Sequence, residues 1–361
     1  MKKILGVLAL VLAISGIASG GQDFLKKITV GTEGRYQWKD ISSSDEDSTP
    51  IGNAGFKKEN RSRTRWHKTI SGTINLSEEW GVGLDFSFLH RNQTERKGND
   101  RTREVVFTNP GLTFYKDIKI GSLDTDWKLK WFNEHTELRK LYSGGVAQPT
   151  EKRTLDDWNE FLFGPTFNVK LLGQDVKVVT ELVYYNVKNG ASGRHFLPAG
   201  SFDKKSRIHG WGFDLGLFNK GKIVEGNFGS VTYAVGFMNR FRDVSGKIDG
   251  KSAPSNIKLN YTQNIKYTTP SFKGLSGYLS VENEWIKHTG RGGWENEFYI
   301  IPGVNYNTKF STGIGEVTVS PWMSYSLLSR ETSYKKNRED KKQSFERNEL
   351  RVGVNLSLNL K

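Results

Sequence analysis

The last twelve residues, LRVGVNLSLNLK, place an apolar side chain at every second position. Leu350, Val352, Val354, Leu356, Leu358 and Leu360 alternate with Arg351, Gly353, Asn355, Ser357 and Asn359. Extended backbone sends successive side chains to opposite faces, so the segment predicts a long strand with one apolar and one polar face. The same period of two recurs in Val317, Val319, Pro321, Met323, Tyr325 and Leu327, and again in Phe298, Ile300, Pro302, Val304 and Tyr306. It recurs in Trp211, Phe213, Leu215 and Leu217, in Phe161, Phe163, Phe167, Val169 and Leu171, and in Trp80, Val82, Leu84, Phe86 and Phe88. Helical spacing nowhere competes with it. The pattern predicts fourteen strands, at 26–40, 61–77, 80–96, 102–116, 119–138, 157–171, 175–189, 205–218, 223–243, 255–269, 274–288, 295–310, 316–330 and 345–360.

The connections between these strands fall into two sets that alternate along the chain. The short set is 77–79, 117–118, 172–174, 219–222, 270–273 and 311–315; the long or polar set is 41–60, 97–101, 139–156, 190–204, 244–254, 289–294 and 331–344. Alternation puts every member of one set at one end of the strands and every member of the other at the opposite end. An even number of antiparallel strands, short turns on one side and longer loops on the other is the layout of a transmembrane β-barrel with periplasmic turns and extracellular loops. Lipid tolerates no open sheet edge, so the first and last strands are expected to pair. The soluble alternative, a large all-β sandwich, generally has strands of five or six residues, about a third of the length read here.

Composition agrees with a barrel and excludes other classes. The mean hydropathy of −0.57 is too polar for a bundle of membrane helices, and the chain has no Cys from which to build a disulfide scaffold. The apolar run in MKKILGVLALVLAISGIASG follows Lys2 and Lys3 and ends on Ala18, Ser19 and Gly20. It reads as a secretory signal peptide over residues 1–20, with the barrel occupying 21–361. The formal charge of +14 falls to +12 without Lys2 and Lys3. For an exported protein such a balance points to lipid headgroups and lipopolysaccharide rather than to nucleic acid.

The polar face of each strand should line water. It carries the basic residues Arg35, Lys128, Lys130, Lys170, Lys177, Arg240, Lys258, Lys266 and Arg351, and the acidic residues Glu181, Glu282 and Glu284, among others. These are the expected pore-lining residues, and their positive surplus predicts a mild preference for anions. Aromatic side chains on the apolar face, among them Tyr36, Trp38, Trp66, Phe114, Trp127, Trp131, Tyr184, Trp211, Tyr261, Tyr267, Trp285 and Tyr325, fall near strand ends and read as two interfacial girdles. The six His residues are scattered singly, and no GxSxG, HExxH or phosphate-loop motif is present, so no catalytic, metal or cofactor site is expected.

These features together resemble a bacterial outer-membrane porin, and within that class the MKK leader, the richness in Gly, Trp and Lys and the fourteen-strand count are similar to the fusobacterial-type major outer-membrane porins. The resemblance implies passive diffusion of ions and small hydrophilic solutes, no enzymatic activity, and assembly as a monomer or a homotrimer. A surface adhesin or structural barrel and an oligosaccharide-specific channel are the alternatives. One departure is visible: many such barrels end on Phe or Trp, whereas this chain ends on Asn359, Leu360 and Lys361.

Overall fold

The computed structural model describes residues 25–40, 61–188 apart from 122, 145, 149–152 and 172, 206–336 apart from 244, 249–250, 253–255, 290–292 and 314, and 339–360. The segment read as a signal peptide and the connections at 41–60 and 190–204 lie outside the described residues.

Fourteen antiparallel strands form one sheet. They are β1 (Leu25–Asp40), β2 (Arg61–Ser77), β3 (Val82–Lys97), β4 (Asp100–Ile120), β5 (Leu123–Ser143), β6 (Arg153–Leu171) and β7 (Gln174–Lys188). The second half is β8 (Ser206–Gly226), β9 (Gly229–Arg242), β10 (Asn256–Thr268), β11 (Leu275–His288), β12 (Trp294–Tyr306), β13 (Gly315–Lys336) and β14 (Glu339–Leu360). Short ladders at Val146–Ala147, Ser245–Ile248, Lys251–Ser252 and Thr308–Thr312 extend individual hairpins. Each strand pairs with its sequence neighbour. β14 also returns to β1 in a continuous register from Lys27↔Asn359 to Asp40↔Glu346, so the sheet is a closed barrel.

Contacts between strands that are not neighbours decide which face is concave. Arg242 on β9 reaches Glu160 on β6 at 2.6 Å, spanning β7 and β8, and Lys130 on β5 reaches Glu181 on β7 across β6. A salt bridge that spans two intervening strands, as Arg242–Glu160 does, is within reach only across the inside of the curve. The inside is therefore the polar face. Burial runs opposite to that of a soluble sandwich: Gln37 and Glu349 are 1% exposed, whereas Leu182 is 59% and Val352 49% exposed. A sheet that buries carboxylates and presents Leu, Val, Ile and Phe outward is matched to hydrocarbon outside and polar contents within.

Several boundaries differ from the sequence reading. The strands do not turn at 117–118 or 219–222. β4 continues to Ile120 and β8 to Gly226, and the turns that follow place Gly121 at φ +62° and Gly229 at φ +118°. In β4 the period of two persists through Ile118 and Ile120, and backbone conformation rather than polarity sets the turn. At the opposite end, 97–101 is a tight turn with Gly98 at φ +57° and Lys97 paired with Asp100, so the long connections are not uniformly long. The segment 331–344 is largely a continuation of the β13–β14 hairpin, paired from Glu331↔Ser344 to Lys336↔Glu339. Its hydrophobic alternation has faded, and the backbone ladder alone carries it, which side-chain pattern does not report. Strands β5 and β6 likewise extend into 139–156, to Ser143 and from Arg153.

Candidate functional site, the barrel lumen

The lumen is built by one of every two residues on each strand, so its chemistry follows from register. On β14, β1, β2 and β3 three successive rows face inward. Glu349, Gln37, Arg63 and Glu95 form the first; Arg351, Arg35, Arg65 and Gln93 the second; Gly353, Glu33, His67 and Arg91 the third. Like charges stand directly opposite each other at Arg351↔Arg35 and Arg35↔Arg65, an arrangement that destabilises a bare sheet.

Carboxylates brace part of this wall. Glu33 accepts from both Nε and Nη2 of Arg35, Glu349 accepts from Arg351 Nε and lies 3.9 Å from Arg35 Nη1, and Glu95 accepts from Arg103 Nε at 2.7 Å and pairs with Arg63 at 2.8 Å. Arg65 instead meets a neutral amide, donating from Nε to Gln93 Oε1 at 3.0 Å. Arg91 lies over the ring of Phe107 at 4.2 Å. His67 is buried, and its Nε2 has no hydrogen-bond partner among the described residues.

Below the arginine rows, toward the short turns, the same wall turns to hydroxyl and amide groups. Thr29, Ser71, Ser87, Asn109, Thr113 and Phe132 line a cavity of about 660 Å³ together with Lys27, Asp85, Lys130 and Glu134.

The opposite wall is different. Inward side chains of β6 and β7 include Trp158, Leu162, Val179, Val183, Tyr185 and Val187, and the last of these strands buries Val183, Tyr185 and Val187 completely. Tyr185 stacks on Trp158 at 5.7 Å and donates its hydroxyl to Asp243 O. Arg242 ties this wall together, donating to Asp214 Oδ1 and Oδ2 and to Glu160 Oε1. Gly212 makes that possible: a Cβ there would come within 2.8 Å of Arg242 Cδ and 2.3 Å of Phe241 O.

The convex face carries the remaining information. Tyr36, Trp38, Trp66, Phe114, Trp127, Trp131, Phe161, Tyr184, Trp211, Tyr261, Tyr267, Trp285, Phe298, Tyr306 and Tyr325 all share it with the aliphatic residues. Neighbouring rings meet around the barrel, Tyr36 with Trp38 at 5.2 Å, Trp38 with Tyr325 at 5.9 Å and Tyr184 with Trp211 at 5.1 Å. A closed sheet, an aliphatic and aromatic exterior and a charged interior together satisfy the demands of a bilayer on backbone and side chains alike. The chain is a β-barrel of the bacterial outer membrane.

No protein-family model and no characterised protein sequence matches this chain. Among solved structures, a Pseudomonas aeruginosa FadL homologue is similar at 10% identity and a TM-score of 0.41, covering 94% of this chain and 91% of that one. An outer-membrane channel from Pseudomonas putida F1 is similar at 10% identity and a TM-score of 0.40, covering 93% and 98%. The β domain of the Bordetella autotransporter BrkA is similar at 9% identity and a TM-score of 0.37, covering 92% and 99%. Scores this low leave the geometry of this outer-membrane barrel to carry its own argument.

Register places every residue read as pore-lining on the concave face, though not in one group. Arg35 and Arg351 sit together in the arginine rows, and Lys128, paired with Asp126 at 2.5 Å, and Lys130 lie on β5. Glu181 is 3% exposed beneath Lys130, and Arg240 lies 3.7 Å from Asp214. Lys170 and Lys177 occupy the turn-side end of β6 and β7. Lys258 and Lys266 lie on β10; Lys266 is 4.3 Å from the ring centre of Tyr278. On β11, Glu282 accepts from Asn264 at 3.0 Å and Glu284 from Asn260 at 2.7 Å.

The sequence reading missed Arg63, Arg65 and Arg91 as lumen residues, together with inward aromatics such as Phe107, Tyr115, Phe132 and Tyr278. Parity held the signal for the aromatics. Phe114 and Tyr115 are adjacent, so if one faces lipid the other faces the lumen. Tyr115, Tyr278 and Trp322 each cover a glycine on the adjoining strand, Gly83, Gly303 and Gly353, where a Cβ would fall within 2.1–2.8 Å of the ring or its hydroxyl.

Proposed function

We propose that this outer-membrane barrel is a water-filled diffusion channel for ions and small hydrophilic solutes, with a mild preference for anions. The observation that carries the reading is the wall from β14 through β4, where arginine rows stand above a cavity of about 660 Å³ lined by Thr, Ser and Asn side chains. Fourteen strands about 4.8 Å apart and tilted about 40° close at a backbone diameter of about 28 Å, too wide for side chains alone to fill. Fixed charges along such a lumen act through water and salt with a Debye length of about 8 Å, which biases ion flow without making it strict.

TodX, also similar at a TM-score of 0.40, is a monoaromatic hydrocarbon channel. In the present chain the apolar inward groups on β6 and β7 are buried against one another and offer a solute little surface, with Val183, Tyr185 and Val187 at 0% exposure. The cavity presents Thr, Ser, Asn and charged side chains beside Phe132, a mixture that favours hydrophilic cargo.

The same proposal takes in the similarity to fusobacterial-type porins, a monomeric or trimeric state, and contacts of the convex face with lipid and of the β13–β14 hairpin with lipopolysaccharide. That hairpin carries Lys335, Lys336, Lys341 and Lys342. None of these requires catalysis.

Reconstitution into planar bilayers tests the channel reading. Stepwise conductance in KCl, and a reversal potential of the sign for anions in a salt gradient, are expected. Replacing Lys128, Lys258 and Lys266 with Glu should move that potential toward cations. Absence of conductance from folded protein would refute the channel.

A further inference from the structure

We infer that the arginine rows and the hydroxyl-lined cavity form one binding path for a hydroxylated solute that carries an oxyanion, a carboxylate or a phosphate, such as a sugar acid or a sugar phosphate. The inference rests on the channel reading and deepens it by naming the class of solute.

Arg35 and Arg65 face each other across β1 and β2, and Arg91 stands one row closer to the cavity. Arg35 is held by Glu33, but Arg65 meets only the Gln93 amide among the described residues. The guanidinium charge of Arg65 is therefore not matched by a hydrogen-bonded carboxylate. A planar guanidinium offers paired donors that match the two oxygens of a carboxylate or phosphate. Two like charges placed directly opposite each other weaken a sheet, and a bound anion would relieve that repulsion.

A second observation points to the same place. His67 is 6% exposed, lies in register between Glu33 and Arg91, and has an Nε2 with no partner among the described residues. A buried polar atom without a partner is costly, so a ligand group at this row would satisfy it.

Geometry then joins head to body. Arg91 is two residues, about 7 Å along an extended strand, from Leu89. Leu89 pairs with Asn109, a lining residue of the cavity. A solute the length of a hexose derivative can thus hold its oxyanion at Arg91 and Arg65 while its hydroxyls meet Asn109, Ser87 and Ser71. Phe132 supplies an apolar surface for a sugar ring in the same cavity.

Single-channel recording with additives in a fixed KCl background tests this. Gluconate and glucose 6-phosphate are expected to interrupt the current at concentrations at least tenfold lower than glucose. The double variant Arg65→Gln with Arg91→Gln should raise those concentrations at least tenfold while still opening in discrete steps in KCl. Retained conductance shows that the variant folds and that the channel reading stands. Potency of both gluconate and glucose 6-phosphate no greater than that of glucose, or an unchanged double variant, would overturn the inference and leave the channel intact. Block by inorganic phosphate as potent as by glucose 6-phosphate would overturn the role of the hydroxylated body. Block by only one of the two sugar derivatives would support the inference and identify the head group as carboxylate or phosphate.

Discussion

Gln37 on the first strand donates from Nε2 to Glu349 Oε2 on the last, and the two residues stand directly opposite each other in the seam that closes the barrel. Each is 1% exposed. Glu349 also receives Arg351 Nε and lies 3.9 Å from Arg35, so one carboxylate compensates two guanidiniums at the junction of chain ends. Replacing Glu349 with Ala takes this carboxylate from the half-buried Arg351 and the acceptor from the buried Gln37 amide, while Arg35 keeps Glu33. We expect a loss of about 1–3 kcal/mol, read as an earlier urea midpoint for the detergent-folded barrel. A midpoint equal to that of the wild type would show that the seam is held by backbone ladders alone.

The two faces of β14 give a second test. Val354 faces outward with Leu356, and Asn355 faces the lumen beside Gly31. Val354→Arg should cost about 2–4 kcal/mol near the bilayer midplane, measured by reversible folding into vesicles. Asn355→Arg should change stability by less than about 1 kcal/mol. The reverse order would assign lipid to the wrong face.

Orientation is open to chemical labelling, because the chain has no native thiol. Asn99 lies in the tight turn between β3 and β4, at the end opposite both described chain ends, and Phe228 lies in the turn between β8 and β9, at their end. A Cys replacing Asn99 should react with an impermeant maleimide on intact cells. One replacing Phe228 should react only after the outer membrane is breached. Labelling in the opposite order would invert the barrel.

Gly210 bears on the wall formed by β6–β9. A Cβ at that position would come 2.0 Å from Asp243 O and 2.5 Å from the Tyr185 hydroxyl. Gly210→Ala should therefore destabilise by about 1–3 kcal/mol, as overpacking does, and the double variant with Tyr185→Phe should recover part of the loss. Thermal transitions of the four proteins in a double-mutant cycle would measure the recovery; strict additivity would mean that the strain lies in the backbone.

How much was legible in the sequence follows from what period two can and cannot carry. It determined the strands, their number and their two faces, because a bilayer outside and water inside impose opposite polarities on alternate residues. Thus Val352 and Arg351 could be assigned to different solvents from the chain alone. It did not place the turns after Ile120 and Gly226, which depend on backbone torsion, or the paired stretch beyond Arg330, where both faces have lost their contrast.

Register was beyond its reach, and register decides the site. Arg35, Arg65 and Arg351 are remote in sequence and become neighbours only when β1 pairs with both β2 and β14. Curvature decided the rest. Arg242 meets Glu160 because closing the sheet brings β6 and β9 toward each other across the concave side. A strand pattern records which solvent a side chain faces, whereas closure and stagger determine which charge stands opposite which.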